Sequence, residues 1–272
     1  MEIRSILVNL DVDLFSPPIV HCARDLATRF SADLIAVAAV PLSQSFIGID
    51  NGAAYAAYYQ QEREQIETRL HALEGEFRSL VGTSVKVEWH PFIEVPNQSM
   101  VALAHRADLI IAGSHIGESN YPRSLNVGEL VLTTGRPVLV VGSGVAKINA
   151  DKILIGWKDV REARRAVVDA LPFLSTASEV VVATMSEGNL LGEKASLEGV
   201  LSWLRRHDVK AHGNVYPRKG TAGETLAAIA KEAGADLIVT GGYGHSRVRE
   251  WFLGGMTSDL LATPMINRFM SN

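Results

Sequence analysis

The stretch ADLIVTGGYGHSRVREWFLGGMTSDLLATPM, residues 235–265, decides the fold. It begins with Leu237, Ile238 and Val239, a short apolar run with the length and branching of a buried strand. Small residues then recur at fixed places: Thr240, Gly241, Gly242, Gly244, Gly254, Gly255 and Thr257. This spacing predicts that the strand leads into a glycine loop, a nine-residue interval and a second glycine turn.

Glycines between a strand and a helix allow backbone N–H groups to approach a phosphate closely, and the positive end of the helix dipole adds to the attraction. The pattern therefore predicts a phosphate cradle in two parts, with amides near 242–244 and 255–257 as the donors. A glycine-rich turn that binds nothing is the alternative, because glycines are common wherever the chain turns with positive φ.

Composition narrows the class of protein. The 272 residues are enough for about two domains of roughly 150 residues. A net charge of −4 without a basic block disfavours nucleic acid as a partner, and no apolar run has the length of a membrane span. Acidic residues appear too early for a signal peptide, and Cys22 is the single cysteine. We therefore expect a cytoplasmic protein with no membrane and no nucleic-acid partner, and Cys22 as a core residue.

The order of strands and helices occurs twice along the chain. The apolar stripe of the first helix, which opens at Pro17, returns 144 positions later, and Ala107-Asp108-Leu109-Ile110 returns 128 positions later at 235–238. The smaller offset places a deletion in the second copy, where the first has a longer loop (48–57) and a helix (60–80). We predict domains at 1–146 (copy one) and 150–272 (copy two), joined by a linker within 142–151.

Alternating strands and helices predict an α/β fold in which each copy is a five-stranded parallel sheet with right-handed crossovers and helices on both faces. Ligands of such sheets bind beyond the carboxyl ends of the strands, at the switch point. The predicted last strands, 137–141 and 264–269, are short and apolar, and would be exposed edges unless they pack against each other.

Over essentially its whole length, the chain resembles tandem universal stress proteins. Nucleotide-binding members of that family carry Gly, two residues, Gly, nine residues, Gly, then Ser or Thr, and Gly241, Gly244 and Gly254 keep this spacing. The resemblance implies a Rossmann-like fold of the adenine-nucleotide alpha-hydrolase type with strand order 3-2-1-4-5. It also implies a pseudo-dimer packed through the last strands, and ATP or AMP as the ligand.

The resemblance implies a nucleotide site in copy two. Its expected residues are Gly156, Lys158, Thr184, Thr240, Gly241, Gly242, Gly244, Gly254, Gly255 and Thr257. Two departures stand out. Gly255 replaces the Ser or Thr of the motif, for which Thr257 is a substitute hydroxyl, and Lys158 stands where copy one has Asp11 and the family has an acidic residue near adenosine. Lys158 either reaches phosphate oxygens or lies solvated on its loop.

Copy one has lost the glycine pattern. Gly113 and Gly117 are separated by three residues, and Glu129 follows Gly128, where its negative charge would oppose a phosphate. His115, His245 and Ser246 have no companions at metal-ligand or hydrolase spacing, so we expect neither a metal nor catalytic residues.

These observations predict a stress-response protein that binds an adenine nucleotide in copy two, with copy one structural. We do not expect an enzyme, although slow ATP hydrolysis is compatible with such a site. The alternative is a protein-interaction scaffold with a vestigial glycine loop; a third reading, binding of FAD or AMP in the manner of electron-transfer flavoproteins, has no supporting residues. An internal pseudo-dimer is expected, with a homodimer as a further option, and the protein partner is left open.

Overall fold

The computed structural model describes residues 2–43, 52–114, 122–186, 188–242 and 266–272, and for 52–55 the backbone alone. Copy one contains β1 (Ser5–Leu10), α1 (Pro17–Phe30), β2 (Asp33–Ala39), α2 (Gly52–Val81), β3 (Val87–Phe92), α3 (Pro96–Leu103), β4 (Leu109–Gly113), α4 (Val127–Thr133) and β5 (Val138–Val141). Copy two contains β6 (Lys152–Trp157), α5 (Arg161–Asp169), α6 (Leu171–Leu174), β7 (Glu179–Met185), α7 (Leu190–Arg205), β8 (Ala211–Tyr216), α8 (Ala222–Ala233), β9 (Leu237–Gly241) and β10 (Asn267–Ser271).

All ten strands form one sheet in the order β3-β2-β1-β4-β5-β10-β9-β6-β7-β8. Each half has the order 3-2-1-4-5 in parallel pairing, which confirms the predicted fold class. The halves meet through β5 and β10, the one antiparallel pair among the described strands. The two copies therefore form the predicted pseudo-dimer, with the last strand of each at its centre.

The last strand of copy two starts later than predicted. β10 begins at Asn267, whereas the apolar run at 264–266 had suggested a start at Pro264. Residues 264 and 265 lie outside the described part of the chain. The residues that face the two cores are Phe269 and Met270, which pair with Leu139 and Val138 of β5. The apolar residues at 264–266 therefore led to a predicted strand start that is too early.

Helix boundaries follow the sequence closely with one exception. Helix α1 opens at Pro17, as predicted, since proline lacks only an N–H that the first turn leaves unpaired. Helix α2 begins at Gly52, so the small residues at 52–57, predicted as loop, are helical. Two hydrophobic layers cover the faces of the sheet, one beneath α1, α2, α5 and α7, and the other beneath α3, α4 and α8.

Aromatic contacts reinforce the junction between the copies. The ring of Phe173 lies 5.2 Å from that of Phe30 in copy one and 5.8 Å from that of Phe269, both edge to face. The Arg29 guanidinium lies 5.5 Å from the Phe30 ring centroid and 5.7 Å from that of Phe173, and donates to the carbonyl oxygen of Asn149 at 3.0 Å. The junction thus combines strand pairing with aromatic and cation–π packing.

Candidate functional site

Strand register brings several predicted site residues to the carboxyl edge of copy two. Trp157 pairs with Thr184, Gly156 pairs with Thr240, and Gly241 pairs with Ser271. Lys158 directly follows β6, and Gly242 directly follows β9. Six of the ten predicted residues therefore lie at adjoining strand ends, around the switch point between β6 and β9. The other four, Gly244, Gly254, Gly255 and Thr257, lie outside the described residues.

Four of the residues at this edge form a row on the face that α5 covers. Thr184, Trp157, Gly241 and Ser271 belong to the neighbouring strands β7, β6, β9 and β10. Their side chains point to the same face of the sheet as those of Val182, Val239 and Phe269, because side chains alternate along a strand. This face belongs to the core layer beneath α5. The sequence had not pointed to Ser271, because β10 was predicted to end before it.

Two hydroxyls in this row are buried without a hydrogen bond. Thr184 is 5 % exposed and Ser271 is 1 % exposed. Neither Oγ1 of Thr184 nor Oγ of Ser271 has a partner among the described residues. The indole N–H of Trp157, between them, donates to Ser196 Oγ at 2.9 Å and is satisfied. Because buried polar atoms are nearly always paired, the two hydroxyls keep hydrogen-bonding capacity for a partner outside the described residues.

Close packing also explains why glycines occur at this edge. A Cβ on Gly241 would lie 2.6 Å from the backbone of Glu162 and Ala163 at the start of α5. A Cβ on Gly242 would lie 2.6 Å from Val131 Cγ1 in copy one. Gly156 is equally confined, since its Cβ would lie 2.8 Å from Leu226 Cδ1 and 2.9 Å from Thr240 Cγ2. Gly241 is thus required by its close approach to backbone, whether or not a ligand binds, whereas at Gly156 and Gly242 side-chain methyl groups would have to shift.

The backbone amide of Gly242 is already in use. Its N–H donates to the carbonyl of Ser271 at 2.8 Å, and in copy one the N–H of Ser114 donates to Val141 at 2.9 Å in the same way. This bond belongs to the sheet in both copies. The structure therefore does not support the amide of Gly242 as a phosphate donor, and any amide cradle has to come from the glycines that follow it.

In copy one, a partly exposed ion pair lies at the corresponding edge. The guanidinium of Arg123 donates to both carboxylate oxygens of Asp13, at 2.7 and 2.8 Å, and to the carbonyl of Pro41 at 3.0 Å. Hydrogen bonding and charge from Arg123 hold the pKa of Asp13 below its ordinary value, and the same contact raises the pKa of Arg123. Asp11 is occupied as well, because its carboxylate accepts the N–H groups of Asp13 and Leu14 at 3.0 and 2.7 Å.

The start of α4 in copy one carries its own cap. Asn126 Oδ1 accepts the N–H of Glu129 at 3.0 Å. The buried side chain of Asn97 then fixes Asn126 through two bonds, accepting its N–H at 2.8 Å and donating to its carbonyl at 2.9 Å. The N–H of Glu129, in the first turn of α4, is therefore served by a side chain of copy one itself.

A metal site and a reactive cysteine were the other candidates for chemistry. No group of three His, Cys, Asp or Glu side chains among them is arranged to hold a metal ion. The Cys22 thiol is buried and donates to the carbonyl of Val145 at 3.3 Å, and burial raises its pKa to about 12. Cys22 is thus an unreactive core thiol. His115, His245 and Ser246 lie outside the described residues.

Within the described ranges, no helix is both long enough and apolar enough to cross a bilayer. No protein-family model and no curated protein matches the chain.

Solved structures do match it. A universal stress protein from Archaeoglobus fulgidus DSM 4304 aligns over 98 % of this chain and 96 % of its own, with 19 % identity and a TM-score of 0.72. A protein from Pseudomonas aeruginosa UCBPP-PA14, provisionally named a universal stress protein, aligns over 99 % of this chain and 93 % of its own, with 18 % identity and a TM-score of 0.62. Together with the ten-stranded sheet, these likenesses show that the chain has the fold of the tandem universal stress proteins.

Proposed function

We propose that this chain is a stress-response protein that binds an adenine nucleotide, ATP or AMP, at the carboxyl edge of copy two. The observation that carries the proposal is the row at this edge, with the unpartnered buried hydroxyls of Thr184 and Ser271 on either side of Gly241. Gly241, Gly244 and Gly254 follow with the spacing of the family's nucleotide binders. The proposed role is signalling or protection rather than catalysis.

The dimensions of the row suit a nucleotide. Thr184 and Ser271 are three strand spacings apart, which is about 14 Å at roughly 4.8 Å per strand. That span accommodates an adenosine with its phosphates laid across the switch point. In this arrangement the hydroxyls orient the ligand, while amides beyond Gly242 and the helix that follows hold the phosphates.

In this proposal copy one does not bind nucleotide. The Arg123–Asp13 pair and the Asn126 cap already occupy the Asp13 carboxylate and the N–H of Glu129, although Ser114 Oγ, directly after β4, is also buried without a partner among the described residues. Nucleotide binding is therefore asymmetric, with one equivalent for each chain.

The scaffold alternative rests on a different set of observations. The Gly242 amide is bound to Ser271, and Gly241 and Gly242 are explained by packing alone. Gly255 and Lys158 also depart from the family's pattern. If the glycine loop is vestigial, the fold serves as a surface for another protein.

Calorimetry with the variant Gly244→Val tests the proposal. A β-branched residue at this position disfavours positive φ and crowds the approach to phosphate. We expect the affinity for ATP to fall at least tenfold, about 1.4 kcal/mol. Gly117→Val, in the matching loop of copy one, is the control and should leave the affinity unchanged.

Lys158→Ala separates the two roles of the lysine. If its ammonium reaches the outer phosphates, ATP binding should weaken more than AMP binding. Nucleotide released from the denatured, purified protein and seen by mass spectrometry would support the proposal independently. Absence of binding by the wild-type protein at millimolar ATP would instead put the scaffold first.

A further inference from the structure

The ten-stranded sheet has two outer edges, and β8 forms the one in copy two. On its inner side, the carbonyls of Lys210 and Tyr216 accept N–H groups from the β7 segment at 3.2 and 2.9 Å. Backbone groups alternate in direction along a strand, so the N–H and C=O groups of Ala211, Gly213 and Val215 point away from β7. All three residues are partly exposed, and no further strand of the described chain lies beyond them.

The opposite edge, β3 of copy one, is protected in a way that β8 is not. The carbonyls of Lys86 and Phe92 accept from the β2 segment at 2.9 and 3.2 Å, so Pro91 is an outward-pointing residue of β3. The strand registers equate Pro91 with Val215, because each pairs with the sixth residue of the neighbouring strand. Proline has no N–H, and its presence on an edge strand hinders the addition of another strand. Val215 keeps this donor.

We propose that β8 is the docking edge for a second molecule of this chain, whose own β8 adds in antiparallel direction across a two-fold axis at Gly213. The N–H of Gly213 then donates to the Gly213 carbonyl of the second molecule, and the N–H of Val215 donates to its Ala211 carbonyl. Each bond occurs twice, because the arrangement is symmetric. The N–H of Ala211 does not contribute, since it already donates to the carbonyl of Val209 at 3.0 Å.

Side chains along the edge are complementary to themselves in this register. A Cβ on Gly213 would point towards Leu197 of α7, so His212 and Asn214 lie on the other face of the sheet, where both are exposed. The axis at Gly213 places His212 opposite Asn214 of the second molecule, as a polar cross-strand pair. Beyond the strand, it brings Asp208 of one molecule towards Arg218 of the other.

The two neighbouring even registers lack this complementarity. An axis at Asn214 would put Lys210 opposite Arg218, and like charges that face each other destabilise a strand pair. An axis at His212 would put the two His212 side chains opposite each other and would separate Asp208 from Arg218. Only self-pairing brings Asp208 and Arg218 together, which favours a second molecule of this chain over a strand of another protein. These observations are independent of nucleotide binding at the carboxyl edge.

Sedimentation equilibrium of the wild type and of Val215→Pro tests the docking edge. A short seam of this kind belongs to the small, transient class of interface, so concentrations from about 1 μM to about 1 mM are required. The mass of the wild type should rise from 29.4 kDa towards twice that value. Val215→Pro copies the proline of β3, removes an N–H that β8 does not give to β7, and should remain monomeric. Val215→Ala, which keeps the N–H, is the control and should associate like the wild type.

Urea unfolding verifies that Val215→Pro retains the fold. A wild type that is monomeric at about 1 mM would overturn the proposal and leave the edge free for another protein. Association of a folded Val215→Pro as strong as that of the wild type would also overturn it, because the contact would then lie elsewhere.

A charge exchange tests the register and does not depend on the proline variant. Asp208→Lys or Arg218→Asp alone puts like charges at the ends of the seam, so the dissociation constant should rise at least about fivefold. The double variant should regain wild-type association, since the two charges meet again with exchanged signs. Arg63→Asp, an exposed charge reversal on α2, is the control and should have no effect. If the double variant associates no better than either single variant, Asp208 and Arg218 do not meet and the proposed pairing is wrong.

Discussion

At the scale of single residues, Gly241 has a packing role in addition to its place in the proposed binding site. It lies in the row with Thr184 and Ser271, and its missing side chain leaves room for the first turn of α5. The atoms that a Cβ would meet at 2.6 Å are backbone atoms of Glu162 and Ala163, which cannot rotate away. The motif therefore records a packing requirement as well as the proposed ligand.

Gly241→Ala should destabilise the fold by about 1–3 kcal/mol, because overpacking against fixed backbone moves α5. Gly199→Ala is the matched control, since a Cβ there meets nothing within 4 Å and the residue lies inside α7. That change should stabilise the protein by about 0.5–1 kcal/mol. Urea unfolding followed by circular dichroism measures both. Equal effects from the two changes would contradict the packing argument.

The sequence predicted these residues better than it predicted their roles. The spacing of Gly241, Gly244 and Gly254 can be read directly from the sequence. The hydrogen bond from the Gly242 amide to Ser271 cannot, because it depends on pairing with a distant segment of the chain. The burial of Arg268 was missed for a similar reason. From sequence alone, a charged residue in this segment is expected to be exposed to solvent. Only the strand register shows that Arg268 pairs with Val140 inside the sheet.

At the scale of elements, the loops of copy one are joined by the Arg123–Asp13 pair, which ties the turn after β1 to the segment before α4. The folded-state pKa of Asp13 lies below its ordinary value of 3.8, so the folded protein resists protonation of this carboxylate. Its contribution to stability is therefore complete above about pH 4 and is lost as the pH falls through the lower, folded-state pKa.

Asp13→Asn should reduce the free energy of unfolding by about 1 kcal/mol at pH 7, a modest value because a third of the side chain is in solvent. The difference from wild type should shrink below pH 4, where the wild-type carboxylate also becomes neutral. Asp159→Asn, which removes an exposed partner of Arg164, is the control and should change stability by less than about 0.5 kcal/mol. Urea titrations at several pH values would show a constant difference if the ion pair is unimportant.

Helices and strands were predictable to the extent that their periodicity was unbroken. The stripe of α1 and the run of β9 were located correctly because one face, or both, is buried. The start of α2 was placed late, since the small residues at 52–57 form no apolar stripe, and β10 was placed early because apolar letters precede it. Boundaries of this kind depend on tertiary contacts that local pattern does not record.

At the scale of the whole molecule, the repeat in the sequence becomes a continuous sheet. Neither copy has a free edge at its last strand, because β5 and β10 cover each other. Asn267 of β10 reinforces the pairing, since its side-chain oxygen accepts the N–H of Gly142 at 2.9 Å and its amide donates to the carbonyl of Asp236 at 2.9 Å. Phe30 and Phe173 close the junction on the α1 and α5 side.

Separation of the copies should therefore expose both last strands and the aromatic contacts together. If residues 1–146 and 147–272 are expressed as separate chains, we expect each to dimerise or to be insoluble, because a bare apolar edge strand pairs with another chain. Coexpression of the two should restore a soluble one-to-one complex, since β5 and β10 then recover their native partner. Size-exclusion chromatography with light scattering distinguishes these states. Two stable, separate monomers would show that the junction contributes little, and that each copy of the repeat is a self-sufficient domain.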